Sequence, residues 1–214
     1  MEAPYGIPAY IAEHPQVRGN IVVASITGSR LYGVSTPDSD YDYVIVSPTA
    51  TKNSRITSGE IDASVWTPET YLDLLYRGTP QAYEINRSPY AVWDPQWEPF
   101  FQAIRPDAHG LRRKFLSLKN TQGVEKQRKH AARTAIMALK ICAHGTAPSP
   151  VLTPLESSAV LACATHPTWA QRLHDMAEST MVGENRLDRL DAMLRYMANA
   201  TTHHQDLQRK APQQ

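Results

Sequence analysis

The sequence predicts an α+β chain, on two observations. Apolar β-branched runs alternate with short helices through the first hundred or so residues, and beyond them the pattern is helical almost throughout. A third observation marks the change of character. Pro89, Pro95 and Pro99 punctuate the passage between the two regions, around Trp93 and Trp97, which are expected to pack as a small apolar junction. The expected organisation is a first domain over 1–100, a helical domain over 101–202, and a polar, disordered tail over 203–214.

The elements follow in order. Ile21-Val22-Val23-Ala24-Ser25-Ile26 has the length and branching of a strand, and Gly28-Ser29 follows it. Ser29 is placed to cap a short helical turn, which Pro37-Asp38-Ser39 ends by reversing the chain. Tyr41-Asp42-Tyr43-Val44-Ile45-Val46 reads as a second strand, and Glu60-Ile61-Asp62-Ala63-Ser64-Val65-Trp66 as a third. Thr67-Pro68-Glu69 opens a helix with a cap and a proline in its first turn, Gly78 stops it, and a short helix follows Pro80. Further helices are expected at 110–119, 123–144, 153–165, 168–181 and 185–200, divided by Gly145, Pro148, Pro150, Pro167 and Gly183.

Composition removes several function classes. A net charge of +1 over 214 residues excludes a broadly basic protein, so any nucleic acid must meet a local patch. Cys142 and Cys163 lie in helix-like stretches without C-x-x-C or His-rich spacing, and read as buried thiols rather than zinc ligands or a disulfide framework. His203-His204 is too short and isolated to argue for a metal site. With no leader-like opening and no apolar run long enough for a membrane span, a soluble, cytoplasmic protein is expected.

The chemistry concentrates in residues 28–42. Gly28 allows close approach of backbone to a ligand, and the free N–H groups of the turn behind it suit an anion. Strand alternation sends Asp40 and Asp42 to one face, where two hard carboxylates suit Mg²⁺ together with water and substrate phosphate. Asp62 on the next strand supplies a third acid if the two strands are neighbours, with Glu60 on the same face two residues earlier.

These residues resemble a family. Gly28-Ser29-Arg30 with Gly33 and Ser39-Asp40-x-Asp42, then Asp62-Ala63-Ser64-Val65-Trp66-Thr67 running into Tyr71-Leu72-x-Leu74-Leu75-x-x-Gly78-x-Pro80, is similar to the DNA polymerase β-like nucleotidyltransferase superfamily. Within it the chain is most similar to the small predicted nucleotidyltransferases associated with RNA repair. The resemblance spans about 20–90 and, more loosely, 110–150, and departs at Thr79, where Asn is expected before the proline.

The resemblance implies a mixed sheet backed by helices, a nucleoside triphosphate as donor, and two Mg²⁺ ions, or Mn²⁺ in their place. Gly28 and Ser29 would hold the β and γ phosphates, with Arg30 as a further phosphate contact. Asp40 and Asp42 would bind both metals, and Asp62 the metal that activates the acceptor hydroxyl. The implied reaction moves a nucleoside monophosphate to a hydroxyl, expected to be an RNA 3′ end, and releases pyrophosphate. Two alternatives stand beside it: modification of a protein side chain, as in toxin and antitoxin pairs, and a nucleotide sensor that no longer turns over. A nucleic-acid scaffold without a nucleotide site would make the motif a coincidence.

Beyond the motif, a helical projection gathers Lys126, Lys129, Arg133 and Lys140 within about 60°, opposite Ala132, Ala135, Leu139 and Cys142. Lys129 and Arg133 are expected either to reach the triphosphate from the helical domain or to form a solvated face. Arg112-Arg113-Lys114 could carry an RNA backbone, and Glu84 and Arg87 could line the cleft or pair with each other. Base preference is not legible, since Tyr32, Tyr43 and Trp66 all qualify as stacking candidates.

Overall fold

A computed structural model describes residues 6–118, 120–146 and 148–210, with side chains through residue 199. The chain divides into two compact units, Met1–Leu111 with Ser149–Val151, and Arg112–Pro148 with Leu152–Gln214.

The first unit runs α1 (Ala9–Ala12), β1 (Val23–Thr27), α2 (Gly28–Tyr32), β2 (Tyr41–Val46), β3 (Ser54–Ser58), β4 (Ile61–Trp66), α3 (Pro68–Tyr76), α4 (Pro80–Arg87), β5 (Val92–Trp93) and α5 (Glu98–Gln102). The unit boundary falls inside α6 (Ala108–Ser117). The strands form one mixed sheet in the order β3-β4-β2-β1-β5, with β2 and β4 parallel and the other pairs antiparallel. The fold is thus the expected α+β, and the sheet is mixed, as the resemblance implied.

Alternation gives the sheet two faces. Val23, Ser25 and Thr27 of β1, Asp42, Val44 and Val46 of β2, and Asp62, Ser64 and Trp66 of β4 share one of them. Its apolar end is covered by Tyr71 and Leu75 of α3, Ala82 and Ile85 of α4, and Phe101. The opposite face, with Ala24, Ile45, Ala63 and Val65, packs on Ile7, Ile11 and Val17. One face is therefore apolar at the Val46 end and acidic at the Asp42 end.

Trp93 and Trp97 both pack on Phe101, at ring-centroid distances of 6.1 and 6.2 Å, and Phe101 lies 5.0 Å from Tyr71. With Ile104 in the same core, residues past 100 are bound into the sheet domain by apolar contact. The Trp-Pro passage is a junction, as expected, but its hub is Phe101.

Local chemistry explains most element ends. Thr67 Oγ1 accepts from Thr70 N (3.2 Å) at the start of α3, and Gly78, with φ of 64°, turns the chain after it. Thr79 precedes Pro80 as the N-cap of α4 without a side-chain cap bond. Helix α2 does not last to Pro37. Left-handed Gly33 (φ 75°) ends it, with Val34 N bonded to Ser29 O at 3.0 Å. Ser29 accordingly sits inside the helix instead of capping it.

In the second unit, α7 (Glu125–His144) packs on α8 (Pro154–Thr165) and α9 (Pro167–Ser179), and α10 (Leu187–Lys210) packs on α8. Ala131, Ala132, Ala135 and Ala138 of α7 and Ala159 and Ala162 of α8 are all buried. Such small side chains let helix backbones approach closely. Helix α10 runs ten residues past its expected end at 200, and residues 211–214 of the expected tail lie outside the described residues. Among the described residues, no helix is long and apolar enough to cross a membrane. Cys142 and Cys163 are free and buried, and burial pushes the Cys163 thiol up to about 12.

Helix α8 opens with a reciprocal cap. Glu156 N donates to Thr153 Oγ1 (3.2 Å), and Thr153 N donates to Glu156 Oε2 (2.8 Å). Glu156 also pairs with Lys140, at 3.2 Å and largely out of water. Replacing Thr153 by Ala should cost about 1 kcal/mol. Glu156→Ala, which also strands the Lys140 charge, should cost about 3 kcal/mol. Urea unfolding checks the order; equal costs would show that the ion pair contributes nothing.

Candidate active site

The site starts from a glycine and an acid. Thr27 is the cross-strand partner of Asp42, and the chain leaves β1 at Gly28 with φ of 65°, a conformation that favours glycine. A Cβ at 28 would sit 3.1 Å from Asp42 Cγ and 3.3 Å from its Cβ, and would overlap a carboxylate oxygen. The absent side chain at 28 is therefore the space that the Asp42 carboxylate occupies. Gly28 thus has a reason inside the chain, apart from any ligand.

The third acid comes from the sheet register. Asp42 pairs with Asp62 across the parallel β2–β4 ladder, so the two carboxylates leave neighbouring strands on one face. Glu60, the alternative acid, lies before β4 in the hairpin turn, where its carbonyl accepts from Tyr41 N at 2.8 Å. Arg55 of β3 meets both oxygens of Asp62 through Nε and Nη2, a forked ion pair. Arg55 is largely exposed, and Asp62 is not. Sequence reading missed β3 and Arg55 together, because Ile56 is the strand's single large apolar residue; the one signal was the turn at Gly59, whose φ is 58°.

Asp40 stands just outside β2. The turn before it is closed by Thr36 N bonding to Ser39 Oγ (2.8 Å) and Ser39 N to Thr36 O (3.0 Å). Arg30 of α2 donates through Nη2 to Ser39 O (2.6 Å) and through Nε to Asp40 O (3.2 Å), and its guanidinium lies 3.6 Å from the centroid of the Tyr41 ring. Gly28, Ser29, Arg30, Asp40, Asp42 and Asp62 are thus neighbours by helix, turn and register.

Behind them the first unit is braced by buried polar contacts. Tyr32, the last residue of α2, donates to Glu84 Oε2 of α4 at 2.5 Å, and both are buried. Ser25 Oγ bonds Ser88 Oγ (3.1 Å), and Arg87 bonds Gln102 (3.1 Å). Tyr32 is therefore not presented for stacking, and Tyr43 points to the sheet face opposite the acids. Trp66 packs against Tyr71 at 6.3 Å.

In the helical unit, basic residues of α7 are engaged by partners within the unit. Arg133 is buried and donates to His130 Nδ1 (3.1 Å), which accepts because a guanidinium has no lone pair to offer. Lys129 pairs with Glu125 (3.1 Å), and Lys140 with Glu156. The packing of α7 between α8 and α9 buries its middle on every side, so amphipathic projection fails there. Arg112, a candidate for an RNA contact, donates to Ala177 O (2.7 Å) and Glu178 O (2.8 Å) at the end of α9, and Arg113 and Lys114 are exposed. Among the described residues, His174, Asp175 and Glu178 bring ligand atoms within 4.8 Å of one another on α9. His174 Nε2 already lies 3.3 Å from Leu116 O, and Asp175 accepts from Gln171 (2.6 Å).

The family model described as RlaP, the RNA repair pathway DNA polymerase beta family, matches residues 9–214. No curated protein matches the chain.

Gly28→Ala should destabilise the protein by about 1–2 kcal/mol through its left-handed backbone alone, and should displace the Asp42 carboxylate. Denaturation and a structure of the variant check both; an unmoved Asp42 would sink the steric account of this glycine.

Proposed function

The chain belongs to the RNA repair pathway DNA polymerase beta family, and from that premise we propose that its acidic sheet face transfers a nucleoside monophosphate from a nucleoside triphosphate to a hydroxyl. The proposed acceptor is an RNA 3′ end, and pyrophosphate leaves. Nucleotidyl transfer is the family's chemistry; the acceptor and the roles of individual residues are our reading. The observation that supports it is the pairing of Asp42 with Asp62 on parallel strands, with Asp40 immediately before β2.

The donor set suits a hard divalent cation. Asp42 and Asp62 stand on paired positions of neighbouring strands with Asp40 one residue before β2, and Asp62 already draws a cationic group, the Arg55 fork. Asp40 and Asp42 would hold two Mg²⁺ or Mn²⁺ ions, and Asp62 would exchange Arg55 for one of them. When bound, the ions would neutralise the triphosphate and ease deprotonation of the acceptor hydroxyl. Gly28 and Ser29 are proposed to receive the β and γ phosphates on the backbone N–H groups of α2 and the Ser29 hydroxyl. Asp62 is proposed to orient the acceptor hydroxyl and draw its proton. Lys129 and Arg133 are proposed to contact the triphosphate from the helical unit, which would require them to loosen their pairs with Glu125 and His130.

Incubation with Mg²⁺, each α-labelled nucleoside triphosphate in turn, and RNA, DNA or protein acceptors should label RNA. The paired substitution Asp40→Asn with Asp42→Asn should abolish the label, and equal labelling by that variant would end the carboxylate assignment. Label on protein would favour side-chain modification, and nucleotide binding without transfer would favour a sensor. Separately, Arg133→Ala should weaken triphosphate binding about tenfold more than monophosphate binding, as expected for loss of a charge-assisted contact. Calorimetry with both ligands decides; equal losses would place Arg133 away from the phosphates.

A further inference from the structure

We propose that Arg30 is a positioning residue that holds the Asp40–Asp42 segment in place, and not a triphosphate ligand. The idea rests on the nucleotidyl-transfer reading for its functional consequence, and on geometry alone for the clamp itself.

The argument begins with where the sheet stops. The ladder of β2 starts at Tyr41, whose N–H bonds Glu60 O at 2.8 Å, so Asp40 precedes it. Asp42 is fixed by its pairings with Thr27 and Asp62, whereas Asp40 hangs from the turn that Thr36 and Ser39 close. Arg30 takes the carbonyls of Ser39 and Asp40 on one edge of its guanidinium, at 2.6 and 3.2 Å, and its Cζ lies over the Tyr41 ring, 3.6 Å from the centroid. Three successive residues are thus gripped by one side chain from α2.

An arginine is required for this. Its planar fork meets two carbonyls at once and its delocalised face stacks on an aromatic ring, while a lysine is a point charge that can do only one of these well. Reaching a triphosphate with that edge would break both carbonyl bonds and the stack together. The grip therefore sets the position of Asp40 relative to Gly28, because Arg30 and Gly28 lie in the same turn of helix.

The test compares wild type with Arg30→Ala and Arg30→Lys, each checked for folding by circular dichroism. Hydrogen exchange should show faster exchange at Ser39 and Tyr41 in Arg30→Ala, with the rest of the sheet unchanged. Mn²⁺ affinity and kcat should each fall about 10- to 100-fold, the usual effect of losing a residue that orients a metal ligand, while KM for the triphosphate stays within about threefold. Arg30→Lys should recover part of both losses. Unchanged exchange at residues 39–41 would overturn the clamp. A KM rise above about tenfold with Mn²⁺ affinity and kcat kept would instead make Arg30 a phosphate ligand. If wild type transfers no nucleotide, the functional reading fails, and exchange together with Mn²⁺ affinity still decides the role of Arg30.

Discussion

The parallel pairing of β2 with β4, in the register that sets Asp42 beside Asp62, is the constraint on which the acidic face depends. Strands lie about 4.8 Å apart, so two carboxylates on facing residues repel by about 1 kcal/mol in water and about 3 kcal/mol at an effective dielectric constant of 20. The fold answers with a cation on Asp62 and a grip on the main chain ahead of Asp42. Arg55 comes from the outer strand β3 to Asp62, and Arg30 comes from α2 to the segment carrying Asp40 and Asp42. Gly28 completes the arrangement by leaving open the volume into which the Asp42 carboxylate fits. Together these residues seat the acids at one end of a sheet whose other end is apolar core.

The basic residues of the helical unit are engaged differently. Lys140 and Glu156 form a shielded pair that also belongs to the cap of α8, Arg112 closes the end of α9, and Arg128 reaches Ala164 O at 2.7 Å. Exposed pairs such as Lys129 with Glu125 hold a helix by only tenths of a kcal/mol and break readily, so the pairing leaves Lys129 able to change partners. Arg133 is another matter, since a buried guanidinium changes partner only if the change keeps its charge satisfied.

Much of the fold could be read before the tertiary structure was known. The β-branched runs at 23–27, 41–46 and 61–66 became strands because their alternating residues fill two apolar faces, and prolines and glycines punctuated the helices where local backbone chemistry requires it. Strand β3 escaped because an edge strand has few buried positions to pattern, and Ser54, Thr57 and Ser58 read as loop. The burial of α7 was not legible in its stripe, because packing on two neighbours buries a helix more fully than a single-face projection allows.

What the sequence by itself determined is the set of local features: the Gly28-Ser29 turn after a strand, Asp40 and Asp42 at a spacing of two, Asp62 on a later strand, and the family to which that pattern belongs. These are legible because turn geometry and strand alternation act over a few residues. Only the tertiary structure decided that Asp62 rather than Glu60 faces Asp42, that Arg55 covers it, that Gly28 is small on account of Asp42, and that Arg30 grips the chain ahead of β2. Strand partners and side-chain contacts across folded segments depend on which surfaces the core brings together, and no spacing along the chain encodes that alone.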